Sequence, residues 1–189
     1  MDVSEESQRC GVVAIVGAPN AGKSTLVNAL VGQKVAITSP KAQTTRTRVM
    51  GVAIEGDAQI VLVDTPGIFA PRRRLDRAMV QAAWGGAQGA DLIALVVDGK
   101  AGLGPKMEPI IEALVHRPER KWLILNKVDI AIKEKLLVHT QKLYERVGFE
   151  ETFFISAQTG DGLAQLKTAF ADAMPRGPWH FPEDQVSDA

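Results

Sequence analysis

The chain has 189 residues, 46% of them hydrophobic, with 17 glycines and 10 prolines. That is the composition of one globular domain with a tail, and it excludes collagen-like and low-complexity architectures. Twenty-two basic residues balance 22 acidic ones, so no global field draws the molecule onto nucleic acid or anionic lipid and any polyanion site must be local. The single cysteine, Cys10, excludes an internal disulfide and fits a reducing compartment. No apolar run reaches the roughly 18 residues of a membrane span, and the acidic, polar start lacks the chemistry of a secretory leader. The expected location is cytoplasmic.

Residues 1–10 read as a polar N-terminal tail. Gly11–Val16 is the first short, nearly continuous apolar run, as a strand covered on both faces requires. Leu26, Leu30 and Val31 then give a helical stripe, and Gln33–Val49 has no regular period. Met50–Ile54 and Gln59–Val63 are joined only by Glu55, Gly56, Asp57 and Ala58, a connection fit for a hairpin and too short for a parallel crossover. Ile68–Asp76 is again aperiodic, followed by a stripe of Met79, Ala82 and Ala83.

Strand Asp91–Val97 precedes a stripe of Ile110, Ile111, Leu114 and Val115. Strand Trp122–Leu125 precedes Leu136, Leu137, Leu143 and Val147, and strand Thr152–Ile155 precedes Leu163, Leu166 and Phe170. This alternation predicts an α/β fold: a doubly wound, mostly parallel sheet of about six strands with one antiparallel strand and about five helices. Ligand chemistry is expected at the carboxyl ends of the strands. Residues 11–174 form the predicted domain. Pro175–Ala189, with three prolines and no helical period, reads as a linker or tail.

Gly17, Ala18, Pro19, Asn20, Ala21, Gly22, Lys23 and Ser24, followed by Thr25, spell G-x-x-x-x-G-K-S between a strand and a helix, the context that a P-loop requires. Glycines let successive amides turn inward, the helix N-terminus adds its dipole, and Lys23 supplies a compact charge for β and γ phosphates. The Ser24 hydroxyl can ligate Mg²⁺. Asp64, Thr65, Pro66 and Gly67 follow the strand ending at Val63. As a bare D-x-x-G the match is weak, but at that strand end the acid can hold the Mg²⁺ shell through a water and the Gly67 amide can face a γ-phosphate. A plain Pro-Gly turn is compatible with the same residues.

Asn126, Lys127, Val128 and Asp129 close another strand. A carboxylate there accepts from the N1–H and exocyclic amine of guanine, whereas adenine offers no such donor pair on that edge, and the unpaired group penalises the wrong base. Asn126 can bridge to the P-loop, and the Lys127 stem can cover the base face. N-K-x-D alone would arise by chance in about one chain in twenty-five. What decides for guanine is the order of the motifs, completed by Ser156, Ala157 and Gln158 at the last strand end, where the Ala157 amide can read the guanine O6. Asp161 is a candidate cap for the following helix. Asn126 with Asp129 argues against an adenine-specific kinase or ATPase.

The ordered set GAPNAGKST, DTPG, NKVD and SAQTGDG resembles the P-loop NTPase G domain of translation-factor-class GTPases. The run Pro40–Arg48, PKAQTTRTR, together with Phe181, Pro182, Glu183 and Asp184, narrows the resemblance to the Era family of bacterial ribosome-assembly GTPases. The resemblance covers nearly the whole chain from Gly11. It implies GTP hydrolysis to GDP and phosphate with Mg²⁺, and a C-terminal KH domain that binds small-subunit ribosomal RNA. Members are also described as peripherally membrane-associated. No KH domain is expected within these 189 residues; the G-x-x-G matches at Gly86–Gly89 and Gly99–Gly102 read as turn glycines.

Ile68 stands where Ras-like GTPases carry a water-positioning glutamine, so hydrolysis is expected to be slow or organised otherwise. Relatives with asparagine at the position of Asn20 use a bound K⁺ beside the phosphates, which implies Asn20 as a K⁺ ligand. The T-R-x-R run implies Thr45, rather than Thr44, as the residue that ligates Mg²⁺ when the γ-phosphate is present. Arg72, Arg73 and Arg74 read as a solvated basic turn. The rival to an enzyme is a nucleotide-gated binding module with negligible hydrolysis in isolation.

Overall fold

The computed structural model describes residues 7–18, 20–31, 35–37, 48–64, 90–181 and 186–188. The apolar runs become strands β1 (Arg9–Val16), β3 (Arg48–Glu55), β4 (Ala58–Asp64), β5 (Leu92–Asp98), β6 (Lys121–Asn126) and β7 (Glu151–Phe154). They form one sheet in the order β3-β4-β1-β5-β6-β7. Neighbours pair in parallel except β3, which turns back against β4 through Gly56 at φ 58°. Most strands run a residue or two past their apolar cores, because ladder pairing continues until the chain turns. Three of these extensions matter, since they set Asp64, Asp98 and Asn126 as the last residues of β4, β5 and β6.

Both faces of the sheet are covered. Helices α1 (Lys23–Val31) and α4 (Leu163–Ala173) pack on one side through Leu26, Val27, Leu30, Leu166 and Phe170. On the other, α2 (Met107–Val115) and α3 (Lys133–Arg146) pack through Ile110, Ile111, Leu114, Leu136 and Leu143. Alternate residues of β1 go to opposite cores, Val13 and Ile15 to one and Ala14 and Val16 to the other, which is why these strands read as continuous apolar runs. Two stripe assignments do not hold: Val115 and Leu137 are 47% and 58% exposed, because each lies beyond the arc that its helix turns to the sheet. The stripe of Met79, Ala82 and Ala83 lies outside the described residues.

β1 sits at the switch point, flanked by β4 on one side and β5 on the other, so the loop leaving its carboxyl end enters the crevice where open α/β sheets bind ligands. Within the stretch expected to be loop, Val35–Ile37 form β2, paired antiparallel with β8 (Val186–Asp188). A three-residue strand has no stability by itself, and its partner comes from the far end of the chain, so no local pattern marked it.

Residues 176–181 have no helical period yet are packed against the sheet's amino-end edge. The Cys10 and Gly177 amides donate to Pro175 and Gln8 carbonyls. Trp179 Nε1 donates to the Asp57 carbonyl at 3.0 Å. The wholly buried Gln59 side chain then pairs with Phe181 as a strand would, donating to its carbonyl at 2.7 Å and accepting its amide at 3.0 Å. Among the described residues no helix is long and apolar enough to cross a membrane.

Candidate functional site

The carboxyl ends of β1, β4, β5, β6 and the turn after β7 converge on one edge of the sheet. From β1 the chain passes through Gly17, where a Cβ would lie 2.5 Å from the Val96 carbonyl oxygen; only glycine lets the loop run this close to β5. Gly22 has φ +95°, and a Cβ there would collide with Asn126 Nδ2. Between them Ala18 is half-buried, Asn20 is exposed with φ 72° and Ala21 is buried. The Gly22 carbonyl takes the first helical bond, from Leu26. Lys23, Ser24 and Thr25 therefore form the first turn of α1, where the amides have no acceptor within the helix. No acidic residue stands in that turn, so the positive end of the dipole faces the crevice without a local counter-charge of its own.

Lys23 Nζ lies 3.8 Å from Asp64 Oδ1, with both side chains mostly shielded from solvent. Burial pushes the Lys23 ammonium below its ordinary pKa, and Asp64 opposes that shift. Ser24 and Asp64 share the wall of a cavity of about 210 Å³ with Val27, Asn28, Val49 and Met50. No group of three or more His, Cys, Asp or Glu side chains able to cage a metal occurs among the described residues. One hydroxyl and one carboxylate is instead the donor set suited to Mg²⁺, which keeps several waters and completes its shell with phosphate oxygens.

Asn126 is 2% exposed and serves three loops. Its Nδ2 donates to the Ala21 carbonyl at 3.0 Å, and its Oδ1 accepts the amides of Lys127 at 2.8 Å and Ala157 at 2.9 Å. The P-loop, the N-K-x-D turn and the last loop are thus tied through one side chain. The Ala157 amide, expected to read the guanine O6, donates to Asn126 Oδ1 here. Val128 is half-buried and its amide bonds the Ile155 carbonyl, while Asp129 is exposed at the rim, as is Gln158.

Ser156 is wholly buried; its Oγ accepts the Thr159 amide at 3.1 Å and shapes the turn. Asp161 does not cap α4 through its side chain: the cap position is Gly162 at φ 78°, with no side-chain bond, because the turn closes on the Asp161 carbonyl through the Ser156 amide.

Lys127 has φ 66°; it and Asn20 are the two non-glycine residues with positive φ among those described. Its Nζ donates to the Asn20 carbonyl and to Asp98 Oδ2, each at 2.9 Å. Asp98 was not singled out in the sequence; the available signal was an acid ending the strand next to the one that carries Asn126. Pro19, Thr45, Thr65, Pro66, Gly67 and Ile68, together with Thr44, Arg72, Arg73 and Arg74, lie outside the described residues.

Residues 12–127 match the 50S ribosome-binding GTPase family. The chain is 60% identical over 191 aligned positions to GTPase Era of Erythrobacter litoralis, covering 99% of the chain and 63% of that protein. It is 56% identical to GTPase Era of Afipia carboxidovorans, covering 96% and 59%. Among solved structures, it resembles an Aquifex aeolicus Era variant bound to GDP·AlF4⁻, and an Era bound to MgGDPNP and nucleotides 1506–1542 of 16S ribosomal RNA. Both give a TM-score of 0.75 at 38% identity, covering 96% of this chain and 62% of theirs. The chain spans about three fifths of the length of these relatives.

Proposed function

We propose that this chain, which belongs to the 50S ribosome-binding GTPase family, is the G domain of an Era-type switch that binds guanine nucleotides with Mg²⁺ and hydrolyses GTP to GDP and phosphate. The observation that carries the reading is the convergence of an anion cradle and a carboxylate-bearing turn on one buried amide, Asn126. Residues 11–174 are the G domain in this reading, and 175–189 lead onward from it.

Lys23 and the first-turn amides of Lys23, Ser24 and Thr25 hold the β and γ phosphates, with Gly17, Ala18, Pro19, Asn20, Ala21 and Gly22 shaping the cradle around them. The partial burial of Lys23 strengthens its grip, since a charge in a lower dielectric attracts an anion more strongly. Ser24, Asp64 and Thr45 would hold Mg²⁺, and the ion neutralises charge developing on the phosphates. Thr65, Pro66, Gly67 and Ile68 are the residues that this reading assigns to the γ-phosphate. Asp129 pairs with the guanine N1–H and amine, the Lys127 stem covers the base, and Val128, Ser156, Ala157 and Gln158 support that wall.

Titration of the purified protein with GDP and ADP tests the reading: GDP should bind by several orders of magnitude more tightly. Asp129→Asn should weaken GDP on the order of 10³-fold and favour xanthosine diphosphate, whose C2 oxygen accepts from the new amide. Comparable binding of GDP and ADP by the wild type overturns the assignment.

Hydrolysis by the isolated chain is slow in this reading, because Ile68 cannot orient a water, and it is K⁺-stimulated through Asn20. Equal turnover in K⁺ and Na⁺ at matched ionic strength removes the Asn20 role. An unchanged Mg²⁺ dependence in Thr45→Ala removes that of Thr45. For the whole protein the proposed partner is ribosomal RNA of the small subunit, on the strength of the Era solved with 16S nucleotides. Footprinting of the full-length protein on assembling subunits, with GTP and with GDP, tests that step.

A further inference from the structure

Lys127 is a costly residue as it stands. A non-glycine residue in the left-handed region costs on the order of 1 kcal/mol, and its side chain is only about one-third exposed, at 32%. Such a conformation persists where the surroundings over-determine it. The backbone is fixed by Asn126 Oδ1 on its amide and by the Ile130 amide on its carbonyl. The far end of the side chain is fixed by two acceptors from different elements: the Asn20 carbonyl in the loop after β1, and Asp98 Oδ2 at the end of β5. β5 lies between β1 and β6 in the sheet, and Asp98 sits opposite Asn126 in the ladder. The carboxylate is therefore delivered by the fold to a point between the phosphate loop and the base turn.

Asp98 is not a swinging surface acid. Its Oδ1 accepts the Lys100 amide at 2.9 Å and the Ala101 amide at 3.0 Å, and its carbonyl takes the Gly102 amide at 2.7 Å. One carboxylate oxygen is thus committed to the turn and the other to Lys127. The side chain is 20% exposed, so the charge-assisted bond is partly sheltered and outweighs a fully exposed pair.

We propose that Asp98 is a positioning residue of the nucleotide site, pinning the Lys127 ammonium against the P-loop so that the lysine's aliphatic stem is held stretched as one wall of the base pocket. The inference rests on the guanine-nucleotide reading above and deepens it. The division of labour follows from charge: the Lys127 ammonium is committed to Asp98 and the Asn20 carbonyl, leaving phosphate charge to Lys23. Lys127 then acts through its apolar stem, which touches the face of a purine and not its edge. Its contribution is blind to the exocyclic amine that Asp129 reads.

Asp98→Asn is the discriminating variant, since the amide oxygen still accepts the Lys100 and Ala101 amides while the amide nitrogen faces Lys127 without attraction. Calorimetric titration of wild type, D98N, K127A and the double variant with GDP and with inosine diphosphate is the experiment. D98N should weaken both nucleotides by the same factor, about 5- to 20-fold, leaving their ratio as in wild type. Once Lys127 is truncated, D98N should add less than about twofold, because the pair acts as a unit.

Wild-type affinity in D98N, independent multiplication of the two losses, or a changed ratio of GDP to inosine diphosphate overturns the inference. If D98N does not fold, K127M keeps an apolar stem and deletes the ammonium. Loss of affinity for both nucleotides in K127M by that factor supports the anchor, and affinity within about twofold of wild type overturns it. A wild-type protein that binds neither nucleotide removes the guanine reading itself, a result distinct from a GDP-binding wild type matched by D98N.

Discussion

The two ends of the sheet each hold a buried carboxamide, and they use it differently. At the carboxyl ends Asn126 ties together three loops whose other groups stay accessible: Asp129 at the rim and Asn20 at the lip of the cradle, with the first-turn amides of α1 facing the crevice. At the amino ends Gln59 also makes three contacts, to the Phe181 carbonyl, the Phe181 amide and Cys10 Sγ. There the partners close on one another, with the His180 amide on Cys10 Sγ and Trp179 on Asp57. A buried amide can thus close an edge or organise one for an incoming ligand. What distinguishes the two is the company: left-handed non-glycine residues and a lysine whose ammonium burial pushes below its ordinary pKa occur at the Asn126 end.

Losing the Asn126 amide should have the largest effect. Asn126→Ala leaves the Ala157 amide and the Ala21 carbonyl without their partner, and should cut GDP affinity by about 100-fold with roughly 2–4 kcal/mol of destabilisation, read by calorimetry and denaturant melts. Gly22→Ala, which puts a Cβ at φ +95° against Asn126 Nδ2, should weaken GDP by about 30-fold through the same clasp.

Gln59→Ala sharpens the contrast from the other end. It should cost about 1–3 kcal/mol and open the segment after Pro175 to proteolysis, while GDP affinity stays within about threefold of wild type. A large loss of affinity there would merge the two ends into one functional unit.

The smallest expected effect is a pH dependence. Burial raises the Asp98 pKa, but the Ala101 amide, the Lys127 hydrogen bond and charge and the Lys100 amide outweigh it, so the net shift is downward. A depressed carboxylate adds stability above its unfolded pKa of about 3.9 and loses it as pH falls through the lower folded value. The stability gap between wild type and D98N should therefore be full at neutral pH and close only in acid below that value, in urea melts run across the range.

How far the chain alone carried the reading varied with the range of the forces involved. Helix α1, the strands and the glycine-bounded loop after β1 were readable because each is written in consecutive residues whose periodicity or glycine spacing has a local steric cause. The antiparallel strand of the six-stranded sheet was readable because four connecting residues leave no alternative. Val115 and Leu137 were misplaced because an apolar residue at the edge of a stripe is core or surface according to what stands opposite it.

The sequence by itself determined the order of strands and helices along the chain, the glycine-bounded loop after β1 and the carboxylate-bearing turn, since these depend on neighbours in the chain. Only the tertiary structure decided that the Ala157 amide serves Asn126, that Asp98 holds Lys127 and that Gln59 receives Phe181. Those partners lie 31, 29 and 122 residues apart. No local preference brings such groups within 3 Å; the fold does, by setting the ends of neighbouring strands side by side, laying the segment through Phe181 against β4 and burying polar atoms that must then find one another.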